Sequence, residues 1–301
     1  MRLTIHPEVQ DALIKKRPIV ALESTILSHG MPYPDNLSMS KEVSRVIRQA
    51  GAIPATIALL NGRITIGLTP EEVERLAKAD KVMKLSKRDL AFAISEKLTG
   101  ATTVSATMVL SHQAGIPIFA TGGIGGVHRE AHKTFDISRD LEELSSCPVT
   151  VVCAGAKAIL DLGLTLEYLE TKGVEVIGYQ TDVLPAFYSR QSPYRLEFKL
   201  ETPESVARFM RTKQRLGFSS GTVIANPIPH EAELPYDQIE SHIINALNDA
   251  KLAGVSGKRV TPFLLDALKE KTGGESLRAN IALMLNNAKL AAEIAVKYWK
   301  I

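Results

Sequence analysis

Residues 54–67 read PATIALLNGRITIG, and this stretch decides the fold class. Two apolar runs, residues 54–60 and 63–67, flank Asn61 and Gly62, a pair that is the strongest short-range signal for a β-hairpin. Elsewhere the chain alternates between short apolar strands and helices, a pattern typical of helices on both faces of a parallel sheet. The hairpin adds an antiparallel pair. We therefore predict an α/β fold whose central sheet is mixed and largely parallel.

The other predicted strands are short buried runs at residues 19–22, 116–120, 149–153, 174–178 and 223–225. Predicted helices include residues 40–50, stopped by Gly51, and a segment that opens at Thr69 with a good N-cap and an acidic first turn. From Tyr236 onward the chain is predicted to be almost wholly helical, ending in residues 276–300. Since no repeat, low-complexity stretch or linker interrupts the pattern, we predict a single domain over residues 1–301.

Bulk composition narrows the class of protein. The 36 basic and 33 acidic residues give a net charge of +3 and are scattered, which argues against a nucleic-acid partner. No apolar run reaches the roughly 20 residues that span a bilayer, and residues 1–8 lack the apolar core of a secretory signal. The two cysteines, Cys147 and Cys153, are too few for a disulfide scaffold. We expect a reduced, cytoplasmic enzyme with no membrane partner.

Two segments that follow predicted strands contain polar residues or several glycines, more than a buried core requires. Glu23 stands at the end of the first strand, where ligands of open α/β sheets collect, although an ordinary ion pair would explain it equally well. Residues 121–129 read TGGIGGVHR, and four glycines in five positions let backbone N–H groups approach a ligand closely. The spacing is not that of a dinucleotide-binding fingerprint. A ligand-binding loop is favoured over a purely structural turn.

Two further patterns have simpler explanations. His128 and His132 are four residues apart and could share a metal on a helix, but the H-E-x-x-H order is missing and the glycines make a helix uncertain. Asp136 and Asp140 could hold a hard cation or bind sugar hydroxyls. Taken alone, the second pattern is better explained by Ser138 capping a helix with Asp140 in its first turn.

Lys157 lies in an unusual context. Residues 149–160 read VTVVCAGAKAIL, which predicts a strand, then small residues, then a lysine at the start of a helix. The positive end of the helix dipole and partial desolvation would both favour the neutral amine, and thus a nucleophile. Most lysines are merely solvated. Lys84 and Lys87 look like such ordinary surface charges.

Together these segments resemble the indigoidine synthase A-like family, also called the pseudouridine-5′-phosphate glycosidase family. The resemblance runs through most of the chain. It rests on ALEST around Glu23, PATIA from Pro54, the glycine loop, FDIS from Phe135, CAGAK ending at Lys157, and further strings at residues 101–104, 166–171, 225–229 and 280–281.

This resemblance implies the fold, the assembly and the roles of single residues. It implies a three-layer α/β/α sandwich that forms a homotrimer, with Lys157 as a Schiff-base nucleophile and Glu23 as a proton donor. It implies Asp136 as the ligand of a divalent metal, usually Mn²⁺. Positions that match substrate contacts, some with less certain roles, are Lys84, Val104, Ser138, Arg139, Asp140, His128 and Asn280.

The implied reaction is reversible cleavage of the carbon–carbon glycosidic bond of pseudouridine 5′-phosphate to uracil and ribose 5-phosphate. Three alternatives stay open at this point. A Schiff-base aldolase would use the same lysine without a uracil pocket. A nucleotide-binding protein would use only the glycine loop, and a relative in blue-pigment biosynthesis would act beside a peptide synthetase.

Overall fold

The structure, a computed structural model, describes residues 3–255 and 260–301. Its strands are β1 (Thr4–Ile5), β2 (Ile19–Leu22), β3 (Ile53–Leu60), β4 (Arg63–Ile66), β5 (Met83–Leu85), β6 (Gly100–Thr102), β7 (Ile118–Ala120), β8 (Thr150–Cys153), β9 (Glu175–Tyr179), β10 (Phe198–Leu200) and β11 (Thr222–Ala225). Its α-helices are α1 (Pro7–Ile14), α2 (Asp35–Gln49), α3 (Pro70–Lys78), α4 (Leu90–Ser95), α5 (Val104–Ala114), α6 (Ala131–Thr134), α7 (Arg139–Leu144), α8 (Leu162–Thr171), α9 (Pro203–Arg215), α10 (Tyr236–Leu252), α11 (Val260–Lys271) and α12 (Glu275–Tyr298).

The strands form one mixed sheet whose main path runs β1-β4-β3-β2-β7-β8-β11-β9-β10. Every pair from β3 to β10 along this path is parallel. The antiparallel pairs both involve β3, which joins β4 through the hairpin and also joins β6. At the hairpin turn Asn61 and Gly62 both have positive φ, at 50° and 74°, as a type I′ turn requires. The mixed, largely parallel sheet is confirmed.

The sheet forks along β3. The first half of β3, up to Thr56, pairs with β2, and its second half pairs with β4 on one edge and β6 on the other. Ser24, just past the end of β2, donates to the carbonyl of Ile57 and accepts from the backbone N–H of Thr102 at the end of β6. The carboxyl ends of β2 and β6 therefore meet beside β3. A side branch of β6 and β5 leaves the main sheet at this fork.

Helices cover both faces of the sheet, as in a three-layer α/β sandwich. On one face α12 packs against β2, β7 and β8, with α2 and α9 beside it. On the other face α5 packs against β2, β3 and β7, with α7 alongside and α8 next to β9. The main hydrophobic core draws its residues from Val9 to Tyr298 along the chain, and a smaller cluster contains Leu27, Ala58, Leu60 and Leu76. None of the described helices is both long and apolar enough to cross a membrane.

Candidate active site

A cleft of about 650 Å³ opens at the fork of the sheet, at the carboxyl ends of β2, β7 and β8. We call it the outer cleft. A volume of this size is typical of a small-molecule site. The residues that line it include Glu23, Lys84, Val104, His128, Asp136, Ser138, Arg139, Asp140 and Lys157. The structure thus brings together nine of the ten predicted site residues, which come from widely separated parts of the chain.

A smaller space, which we call the inner chamber, adjoins the outer cleft and contains the tenth residue, Asn280. Its walls include the π-helical turn Ile26–Gly30, the start of the glycine loop, Phe187 and Leu265. Four residues line both spaces: Glu23, Thr25, Lys84 and Lys157. This junction therefore holds both residues for which the sequence predicted catalytic roles.

Glu23 lies at the junction and is only 7% exposed. It follows β2 directly, and the side-chain hydroxyl of Thr121 donates a hydrogen bond to its carboxylate. Burial raises the pKa of Glu23, while the charge of Lys157 and the Thr121 hydrogen bond oppose the rise. A carboxyl group whose pKa is raised in a cleft can carry a proton near neutral pH and donate it.

Lys157 lines the junction, but the helix-start prediction is wrong. β8 ends at Cys153, and α8 begins only at Leu162, capped by the side chain of Asp161. Gly155 has a φ of +83°, and Ala156 forms an isolated parallel β-bridge with Ile124. Lys157 therefore lies in an irregular loop and not at the start of a helix. The residue is half-buried.

The glycine loop is anchored from two sides. The Lys157 backbone N–H donates to the carbonyl of Ile124 at 3.1 Å. Asp140, 6% exposed, accepts a hydrogen bond from the Gly125 N–H at 2.8 Å and another from the Ser105 N–H at 2.9 Å. A Cβ on Gly125 would lie 2.1 Å from the Ser138 hydroxyl oxygen. Asp140 thus joins the loop to the first turn of α5, and the close packing requires glycine at 125.

Other residues around the cleft are placed as follows. Ser138 caps α7, accepting from the Asp140 N–H at 3.2 Å, as the simpler interpretation predicted. Val104 begins α5 and is buried, so it contributes backbone rather than charge. Lys84, on β5, lines both spaces, whereas Lys87 pairs with the buried carboxylate of Glu143 at 2.9 Å. The fold therefore separates two lysines that looked equivalent in the sequence.

His128 and Asp136 form a pair at the rim. His128 Nδ1 lies 3.9 Å from an Asp136 carboxylate oxygen, and the backbone N–H of His128 donates to the backbone carbonyl of Asp136. Burial lowers the pKa of His128, which the Asp136 charge opposes. His132 lies on α6 and is exposed, whereas His128 precedes that helix, so the two do not share a helix face. Within residues 3–255 and 260–301, no three His, Cys, Asp or Glu side chains are grouped as a ready-made metal site.

Several lining residues were missed by sequence reasoning. The inner chamber adds Thr25, His29 and Phe187, and the outer cleft adds Arg88 and Tyr168. His29 was visible in the string SHGMPYP that follows Glu23, but a lone histidine gave no sign of its surroundings. Phe187 has a φ of +63°, an uncommon backbone conformation for a bulky residue that often marks a functional site.

Comparisons with known proteins find similar proteins over nearly the whole chain. Residues 8–297 match the family described as indigoidine synthase A like protein. The chain is 58% identical to a pseudouridine-5′-phosphate glycosidase of Geobacillus kaustophilus, covering 97% of both chains, and 54% identical to one of Escherichia coli, covering 99% and 96%. It superposes on the crystal structure of the prealnumycin C-glycosynthase AlnA in complex with ribulose 5-phosphate with a TM-score of 0.92, at 36% identity, covering 99% and 97%.

Proposed function

Since the chain belongs to the indigoidine synthase A-like family, we propose that it cleaves the carbon–carbon glycosidic bond of pseudouridine 5′-phosphate. Water is consumed, and the products are uracil and ribose 5-phosphate. The observation that carries the proposal is the junction, where buried Glu23 and half-buried Lys157 both lie between two connected spaces. The relatives that are 54–58% identical bear the name of this activity.

Glu23 supplies the first proton. Burial raises the pKa of its carboxyl group, so the protonated form is available to the ring oxygen of the ribose. The C1′–O bond breaks as the uracil ring releases electrons toward C1′. The Lys157 amine then adds to C1′, and the proton it loses returns to the Glu23 carboxylate.

The same pair completes the cleavage. Protonation of uracil at C5 lets the C1′–C5 electron pair leave with the base, and the nitrogen lone pair of Lys157 forms a C=N bond to C1′. Water adds to this iminium and expels the amine, which regenerates free Lys157 and ribose 5-phosphate. The covalent step divides one difficult bond cleavage into easier ones. Every step is reversible, so the reverse reaction joins uracil and ribose 5-phosphate.

We propose that the sugar phosphate lies in the outer cleft. Three cationic side chains line it besides Lys157: Lys84, Arg88 and Arg139. The first turn of α5, next to Val104, adds backbone N–H groups, which favour an anion at a helix N-terminus. The carboxylates of Asp136 and Asp140 also line the cleft, and as hydrogen-bond acceptors they are suited to the hydroxyl groups of the sugar.

A divalent cation such as Mn²⁺ fits beside Asp136. The Asp136 side chain is 41% exposed at the cleft rim with the His128 ring nearby, so its carboxylate is accessible to a cation. One carboxylate with water and substrate oxygens is a common arrangement for a hard cation bound together with a phosphorylated ligand. A bound cation would offset negative charge on the substrate. Asp136 would hold it, and His128 would orient that carboxylate.

We also propose that the chain forms a homotrimer and works in the cytoplasm. The exposed apolar side chains include Phe92, Phe135 and Leu252, and an assembly can cover such groups. The thiols of Cys147 and Cys153 are free and buried, which agrees with a reducing compartment. Light scattering coupled to size-exclusion chromatography measures the mass of the assembly, and a monomer mass at micromolar concentration would overturn the trimer.

The test of the reaction is direct. Purified protein is incubated with pseudouridine 5′-phosphate and Mn²⁺, and both products are followed by chromatography, with the Lys157→Ala variant alongside. We expect both products from the wild type and none from the variant. Wild type that neither cleaves the nucleotide nor joins the two products would refute the activity. Retained cleavage by Lys157→Ala would refute only the covalent mechanism.

Product analysis also separates the alternatives. An aldolase would be trapped on Lys157 by borohydride with a sugar phosphate, just as the proposed enzyme would, but it would release no uracil. A binding protein would retain the nucleotide unchanged.

A further inference from the structure

A second cavity, of about 680 Å³, lies at the end of the sheet opposite the outer cleft. We call it the rear cavity. It is lined by Thr150 and Thr222, the first residues of β8 and β11, whereas the outer cleft opens at the last residues of β2, β7 and β8. The C-terminal parts of α9 and α12 complete its walls. A cavity of this volume can hold a small molecule, and no step of the proposed reaction uses it.

The rear cavity has basic side chains on its walls and no acidic ones. The basic residues that line it are Lys16, His112, Arg211 and Lys213. Among the residues that the structure describes, no aspartate or glutamate lines it. The amine of Lys213 is neutralised, because it pairs with the carboxylate of Glu175 and donates to the Gly221 carbonyl at 2.8 Å. The permanent charges that remain for a ligand are therefore those of Lys16, which is exposed, and Arg211.

Arg211 lacks a counter-charge. It is half-buried, and its terminal nitrogens donate to the side-chain oxygen of Gln214 at 3.1 Å and to the backbone carbonyl of Tyr298 at 2.9 Å, which are both neutral acceptors. Its Nε is buried and has no hydrogen-bond partner in the part of the chain that the structure describes. Burying an uncompensated charge is costly, so a bound anion would stabilise this arrangement.

The donors at the rear cavity suit a phosphate group. The Arg211 guanidinium lies 3.8 Å from the centroid of the Tyr298 ring, which fixes its plane, and each terminal nitrogen keeps a second hydrogen. A planar guanidinium of this kind binds phosphate oxygens with paired hydrogen bonds. The cavity is also lined by the loop of residues 217–221, GFSSG, in which the N–H groups of Ser219 and Ser220 bond to no backbone carbonyl of the described residues. Successive backbone N–H groups are common donors to phosphate.

Two aromatic side chains at the rear cavity suit a flat ring. Phe218 is 55% exposed and Trp299 is half-buried, and both line the cavity. An exposed aromatic face stabilises a nucleobase by stacking. We infer that the rear cavity is a second ligand site and that it binds a nucleoside phosphate. The phosphate group lies against Arg211 and the loop that contains Ser219 and Ser220, and the base lies against the rings of Phe218 and Trp299.

Fluorescence tests the inference. Trp299 is the only tryptophan in the chain, so its emission reports on the rear cavity. We would titrate wild type with adenosine 5′-monophosphate (AMP), adenosine and inorganic phosphate, and obtain a dissociation constant for each. AMP should change the emission saturably. Adenosine and phosphate should each bind at least about tenfold more weakly, because each makes only one of the two sets of contacts.

Two variants separate the two sets of contacts. Arg211→Gln should weaken AMP binding at least about tenfold and make AMP and adenosine bind alike, and thermal unfolding shows whether it keeps its fold. Phe218→Ala, which changes an exposed side chain, should weaken AMP and adenosine and leave phosphate binding unchanged. The matched control is Arg195→Gln, because this exposed arginine pairs with Asp182 outside the cavity. It should bind all three molecules like wild type.

An emission that millimolar AMP leaves unchanged, or AMP binding that is as tight in Arg211→Gln as in wild type, would overturn the assignment. Light scattering gives a further check, because Arg211→Gln should keep the assembly mass of wild type. A lower mass would assign the rear cavity to a contact between copies of the chain and would also overturn it. These measurements do not depend on uracil release, so their outcome is independent of the proposed reaction.

Discussion

Replacing Thr121 by valine should shift the pH profile of the reaction to higher pH. The Thr121 hydroxyl donates to the carboxylate of Glu23, and this hydrogen bond favours the charged form of the acid. Valine has nearly the same shape and lacks the donor. The backbone contacts of residue 121, to Val152 and from the Asn287 side chain, do not involve the hydroxyl. The change therefore acts mainly on the pKa of Glu23.

The size of the shift follows from the strength of that bond. A hydrogen bond to a charged group contributes about 1.5–3 kcal/mol, and one pKa unit corresponds to about 1.4 kcal/mol. Losing it should raise the pKa of Glu23 further, by about 1–2 units. Because the proposed mechanism uses the protonated form of Glu23 to open the sugar ring, the alkaline limb of kcat/KM should move to higher pH by the same amount.

The assay is uracil release from pseudouridine 5′-phosphate across pH 5–10, about the range in which both limbs are measurable. Thr107→Val is the control, because Thr107 is also fully buried and donates to Thr102 instead. Thermal unfolding of both variants shows whether either has lost its fold. An alkaline limb of Thr121→Val that stays in place or moves to lower pH would refute the role of Glu23 as proton donor.

Three further predictions concern the same site. Glu23→Gln should abolish uracil release and yet be more stable than wild type at pH 8. The pKa of Glu23 is raised in the folded protein, so its contribution to stability is present at low pH and is lost as the pH rises. Melting curves of both proteins at pH 4.5 and pH 8 test this, and an equal difference in stability at the two pH values would contradict it. Gly125→Ala should lower kcat at least about tenfold, because the new methyl group would collide with the Ser138 hydroxyl. An unchanged kcat would show that the loop can move to accommodate the methyl group. Chelation of divalent metal should lower the activity of the wild type, and added Mn²⁺ should restore it. The activity of Asp136→Asn should respond to neither treatment, and its restoration by Mn²⁺ would refute Asp136 as the metal ligand.

The elements with strong local signals were predictable from the sequence. The Asn61–Gly62 turn needs positive φ at both residues, and few other pairs meet this need, so the hairpin was found correctly. The long apolar periodicity near the C-terminus likewise predicted α12. The start of α2 was missed by five residues, because the segment from Asp35 to Ser38 carries little apolar periodicity.

The parts that depend on distant contacts were not predictable. β5 and β6 are three residues each and pair with one another, and β6 also pairs with β3, so no local pattern marked them. Lys157 looked like a helix residue because alanine and leucine surround it. A bridge to Ile124, far away in the chain, holds that segment extended instead.

In the candidate site, too, the features with local signals were predictable and those that depend on distant contacts were not. The glycine loop and Glu23 were marked by unusual composition at strand ends. The hydrogen bond between His29 Nε2 and the carbonyl of Val82 could not be predicted, because the two residues are 53 positions apart in the chain. The role of Asp140 was visible only in part. Its capping turn is local, but its bonds to Gly125 and Ser105 join three separate elements.

The fork of the sheet brings residues of two different parts of the fold to one junction. Glu23 and Lys157 follow strands of the main sheet, whereas Lys84 lies on the side branch formed by β5 and β6. A change in the branch would move the Lys84 amine relative to Glu23 and Lys157 and would leave unchanged the strands that these two residues follow. Under the proposed mechanism, relatives that differ in the branch would bind different sugar phosphates and keep the same covalent chemistry. Chimaeras that exchange residues 83–102 between relatives are the natural way to exploit it.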